Sequence, residues 1–139
     1  MLIIVGIVLA LLAGYNLFIK GDDSVEYRVL SEKEVPVEIT ENILPEYKKL
    51  ERALACSIDD KIYVIVTRGE KPTGGFRVDI DKLVLSKEDD TKKLTVYVIF
   101  EDPTQDDIVT QVITHPYQIV EAELKELRDE IELKVQYDD

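Results

Sequence analysis

The chain has 139 residues, 17 basic and 29 acidic, for a formal net charge of −12. That length suits one ordinary domain, and a hydrophobic content of 45% supports a packed core and excludes a disordered chain. The acidic balance excludes general nucleic-acid binding, which depends on attraction to phosphate, while one cysteine (Cys56) and one histidine (His115) exclude a disulfide framework and Cys-rich or His-rich metal sites.

Residues 2–19, LIIVGIVLALLAGYNLFI, carry no formal charge. As a helix they reach about 27 Å, near the hydrocarbon thickness of a bilayer. A signal peptide would begin with basic residues, but the apolar run starts at Leu2. Cleavage after Ala13 would need a small residue where Leu11 stands. The segment therefore reads as an uncleaved transmembrane anchor over 1–20, contacting the lipid bilayer through 2–19. Gly6, Ala10 and Gly14 share one stripe of this helix, where small residues let a second membrane helix approach. Lys20 is its one basic residue, so 21–139 holds 16 basic and 29 acidic groups, a net of −13. With Asp22 and Asp23 following at once, flanking charge leaves the orientation open.

Gly21–Ser24 is a polar linker into a second region, 21–139. Tyr27/Val29 and Val35/Val37/Ile39 alternate as one or two strands, with Pro36 pointing to an edge. Pro45 suits a first helical turn, and Tyr47, Leu50 and Leu54 then repeat at helical spacing, predicting a helix over 45–56 packed on a sheet. Ile62–Val66 is apolar on both faces, as in a central strand. Phe76, Val78 and Ile80 alternate with charges until the phase shifts to Leu83 and Leu85, predicting a bulge near Asp81–Lys82. Leu94–Phe100 reads as another central strand. Ile108–Thr114 and Tyr117–Leu124 are further strand candidates, the latter overlapping a helical alternative at Glu121–Arg128, and Ile131–Tyr137 closes the pattern. The expected fold is mainly β (α+β): an antiparallel β-sandwich or open barrel with one packed helix, preceded by the transmembrane helix.

No residue constellation points to catalysis, a cofactor or a metal. His115 is the one general-base candidate, and no Gly-x-Ser-x-Gly element accompanies it. Cys56 reads as a small buried hydrophobe. The pairs Asp59–Asp60, Asp89–Asp90 and Asp106–Asp107 sit at predicted turns and fit no calcium-loop spacing. Between two strands, Gly69-Glu70-Lys71-Pro72-Thr73-Gly74-Gly75-Phe76 lacks the lysine and following helix of a phosphate loop. It reads either as an ordered hairpin connection or as a backbone surface for close partner contact.

Residues 69–80, GEKPTGGFRVDI, resemble the G-x-x-P-T-G-G-[YF]-x-V-x-I signature of the PrcB carboxy-terminal domain family. That family's later segment, x-P…T-x-P-Y-x-[IV]-V, is matched by Asp102-Pro103 and then Thr114-His115-Pro116-Tyr117-Gln118-Ile119-Val120. Phe76 stands for the more frequent Tyr, and His115 for a small polar residue. The family's named member is a subunit that assembles or stabilises a surface protease complex and is not itself a protease. The resemblance implies an extracytoplasmic interaction domain, which the apolar segment 2–19 would tether to the membrane. Gly69, Pro72, Thr73, Gly74, Gly75, Phe76, Pro116 and Tyr117 then become partner-binding candidates, the partner being a surface protease or envelope protein. The alternative is a structural subunit that self-assembles into an envelope layer or filament, a homo-oligomer. An enzyme using Cys56 and His115 is a third reading, requiring both to converge in one cleft.

Overall fold

A computed structural model describes residues 23–138. The anchor expected over 1–20, with Gly6, Ala10 and Gly14, lies outside these residues. Among the described residues, no helix is long and apolar enough to cross a membrane.

Among the described residues, eight strands form two four-stranded sheets. The first has the order β1 (Ser24–Val25), β5 (Arg77–Glu88), β6 (Thr91–Glu101), β8 (Glu130–Asp138). The second has the order β2 (Tyr27–Val29), β7 (Tyr117–Ala122), β4 (Lys61–Arg68), β3 (Glu51–Ile58). Val64, Val66 and Val120 of the second sheet meet Leu83, Val96, Val98 and Phe100 of the first in one buried cluster, so the fold is a sandwich. The closing strand β8 runs parallel to β6, whereas an antiparallel fold was expected throughout. β7, in the opposite sheet, returns the chain to the end where β6 begins, and the connection from Ala122 to Glu130 crosses there into the first sheet, which permits the parallel pairing.

Two hairpins follow directly from their turn residues. Asp59–Asp60 joins β3 to β4 and Asp89–Asp90 joins β5 to β6, all four with φ between 47° and 67°. Aspartate tolerates this left-handed region, and two such residues in succession make the turn whose twist matches a tight hairpin. The expected bulge is present as a register shift between Ile80 and Lys82. Groups freed there are taken up by the opposite sheet. The Tyr27 hydroxyl donates to the carbonyls of Ile80 and Asp81 at 2.9 and 3.0 Å, and Gln118 Oε1 accepts the Ile80 N–H at 2.6 Å.

The expected helix over 45–56 is mostly strand. A π-helical turn, Ile39–Ile43, leads into α1 (Leu44–Tyr47), and the chain then enters β3. Ala53 faces the sheet interface, while Leu54, Cys56 and Ile58 face outward under this helical cover. That alternation with Asp59–Asp60 at its end outweighs the three-residue helical spacing. Val35–Ile39 is likewise not a strand: Pro36 ends extended pairing, and Ile39 is fully buried against Tyr63, Ile65 and Ile119. Ile108–Thr114 forms no strand either, its sole pairing being the bridge of Thr114 to Lys71. The strand ends at Ala122 rather than Leu124, and no helix forms over 121–128.

The helical cover should contribute real stability despite its shortness. Ile39→Ala should cost about 2–4 kcal/mol in urea unfolding, the usual penalty for emptying a fully buried aliphatic site. A loss below about 1 kcal/mol would show that the cover is dispensable to the sandwich.

Candidate interaction end

Both motifs that carry the family resemblance meet at one end of the sandwich. Lys71 and Thr114 exchange two backbone hydrogen bonds of 2.9 Å, and the Thr114 hydroxyl donates to the Thr73 carbonyl at 2.7 Å. The Gly74 N–H donates to the Thr110 carbonyl at 2.8 Å. Gly75 has φ +90°, and a Cβ there would lie 2.7 Å from Val109 Cγ1 and 3.0 Å from Pro103 Cβ. The glycines therefore let the 69–76 loop lie flat against the 102–116 loop. Gly69, with φ +89°, is buried against the backbone of Lys49 and Leu50.

Behind these loops stands Arg68, a residue the sequence reading passed over. Its side chain is 1% exposed and lies between the two sheets. The guanidinium donates to the carbonyls of Arg77 at 3.2 Å and Glu101 at 3.0 Å and pairs with the Asp102 carboxylate. It also stacks on Phe100 at 4.6 Å, Phe76 at 5.2 Å and Tyr137 at 5.8 Å. The partner-binding candidates thus differ in what they offer. Gly69 and Gly74 are buried, Phe76 is half-buried over Arg68, and the Pro116 carbonyl accepts the Arg68 N–H at 2.9 Å. Pro72, Gly75 and Tyr117 are exposed, and Thr73 is half-exposed.

Cys56 and His115 do not converge. Cys56 pairs with Tyr63, four residues along β4 from Thr67, the residue paired with Tyr117. That separation alone is about 13 Å along the strand. Burial pushes the Cys56 thiol up from its ordinary pKa, away from the reactive thiolate. His115 instead places Nε2 3.5 Å from Glu70 Oε1. Among the described residues no group of acidic, Cys and His side chains could hold a metal ion.

A notch of about 380 Å³ lies beside Tyr117, walled by Val29, Leu30, Val35 and Ile119. The 3-10 turn Glu32–Glu34 closes one side. Ser31 donates to Glu34 Oε1 from its N–H at 3.1 Å and its hydroxyl at 3.0 Å, and Arg28 pairs with the same carboxylate. These bonds, the Ser31 backbone first and Arg28 next, lower the Glu34 pKa from 4.5 to about 2.

Residues 62–123 match the family model described as PrcB C-terminal, the family that the two motifs resemble. Neither the curated proteins nor the solved structures contain a match.

Two predictions follow from these contacts. Arg68→Met removes the buried guanidinium that donates to the carbonyls of Arg77 and Glu101 and should cost about 2–4 kcal/mol in chemical unfolding. Asp102→Asn, at a half-exposed carboxylate, should cost about 1 kcal/mol or less; equal losses would contradict the assignment of Arg68 as the anchor. The depressed Glu34 pKa means its contribution is complete above its unfolded value of 4.5 and is lost as pH falls toward about 2. The Ser31 amide resonance should therefore hold its position down to pH 4.5 and shift only as Glu34 protonates below it. A Glu34 titration centred near 4.5 would contradict the turn's geometry.

Proposed function

From the PrcB C-terminal match over residues 62–123, we propose that this chain is a protein-interaction module, tethered to a membrane through 2–19 and exposed outside the cytoplasm, that assists assembly or stability of a surface protein or protease complex. The supporting observation is the 102–116 loop. Ile108 is fully exposed, and Val112 and Ile113 are 56% and 62% exposed. Yet the loop is fastened to the glycine loop by backbone hydrogen bonds at Thr110 and Thr114. Apolar side chains held out on a fixed backbone lower the ordering cost of binding, the usual design of a contact surface. The glycine loop has a supporting role here, presenting its neighbour and leaving Pro72 and Thr73 at the rim.

Self-assembly is the second reading, favoured by β3 and β8. These sheet-edge strands span eight and nine residues, and long edges are able to pair with other chains. Large homogeneous particles in mild detergent would support it over the first reading.

The double variant Ile108→Asp/Val112→Asp separates contact from folding. Both side chains are exposed, so stability should stay within about 0.5 kcal/mol of the parent. Recovery of partner protein in pulldowns from solubilised membranes should fall at least tenfold. Unchanged recovery would remove this loop from the interface, and no recovered protein with the parent chain would count against the whole reading.

A further inference from the structure

We propose that the notch beside Tyr117 receives an extended segment of a partner protein, rich in basic and aliphatic residues, which adds as a short strand to the free edge of β7. This rests on the reading above that this end of the molecule meets proteins, and it specifies the chemistry of what docks there.

The edge is set by register. β4 borders β7 along its whole length, from Thr67 opposite Tyr117 to Ile62 opposite Ala122. On the other side β2 borders only Val120–Ala122. Backbone groups of an antiparallel strand alternate between its two neighbours. Pro116 accepts from Arg68 on the β4 side at 2.9 Å, and Ile119 accepts from Leu30 on the β2 side at 3.0 Å. By that alternation Tyr117 directs its N–H and C=O toward the β2 side. There β2 has ended, and the chain turns away through Glu32–Glu34. A backbone donor and acceptor thus face the notch where a continuing strand would lie.

The occupant follows from those groups and from charge. A donor and an acceptor at strand spacing are satisfied by extended peptide backbone, which a lipid surface cannot supply. Aliphatic walls at Val29, Val35 and Ile119 suit an aliphatic side chain. Glu32 borders the notch and Glu70 lies beside His115, within a chain of net charge −12. This field favours lysine or arginine on the incoming segment and disfavours a second copy of the same acidic chain.

The test uses the full chain in mild detergent with the blocked peptide acetyl-Lys-Val-Lys-Val-Lys-amide at saturating concentration. Hydrogen exchange at the Tyr117 amide should be fast in the free protein and slow at least tenfold with peptide. The charge-reversed acetyl-Glu-Val-Glu-Val-Glu-amide should bind at least tenfold more weakly. Tyr117→Pro, which removes the N–H, should weaken lysine-peptide binding at least tenfold, whereas Tyr117→Val should change it less than threefold. Equal binding of both peptides, or a Tyr117 amide already protected in the free protein, overturns the proposal. Protection that grows with protein concentration would assign the notch to a second copy, and exposure of the amide on removing residues 1–22 would assign it to the chain's own leader; either result overturns it. If these tests fail while the parent chain still captures partner through the 102–116 loop, only the strand slot falls.

Discussion

Arg68 is the interaction on which the rest of this structure depends. β4 supplies the side chains Ile62, Val64 and Val66 to the interlayer side, and the next residue in that phase is an arginine. A buried guanidinium is costly unless its donors are met. Here the two terminal nitrogens are met from the end of the other sheet, by the carbonyls of Arg77 and Glu101 and the carboxylate of Asp102, and three aromatic rings surround the group, while Nε has no hydrogen-bond partner among the described residues. Those partners border the start of the glycine loop's exit strand and the start of the 102–116 loop. One side chain therefore ties both sheets together and sets where both loops begin.

Much of the strand framework was legible because its signals are local. Asp59–Asp60 and Asp89–Asp90 announce tight hairpins, the phase change after Ile80 announces the bulge, and the two-faced apolar runs of β4 and β6 announce central strands. The failures share a different cause. Glu51–Ile58 carries apolar residues on both faces because the helical cover buries its outer side, and Tyr47, Leu50 and Leu54 happen to mimic a helix. Residues 108–114 are nearly all β-branched, as strand residues often are, but they find no partner strand beyond Thr114. Parallel pairing of β8 depends on a path through Leu124–Asp129 that no local pattern reveals.

The interaction end was partly legible. Two motifs separated by some thirty residues of sequence are joined by the Lys71–Thr114 bridge, and their meeting could not be read from either alone. Most motif residues turn out to hold the end together: Gly74 and Gly75 permit close packing, and Pro116 accepts from Arg68. The exposed aliphatics of the 102–116 loop, which the sequence placed in a strand, are what the end presents to solvent. Arg68 could have been found by extending the phase of Ile62, Val64 and Val66 by one further step.

The most direct measurement of the central claim is site-specific photo-crosslinking in intact membranes. A photoreactive residue at Ile108 samples the loop end, and one at Asp90 samples the hairpin at the opposite end of β5 and β6. The account predicts discrete adducts to a second protein from position 108 and none from position 90. Adducts from position 90 with none from 108 would contradict it.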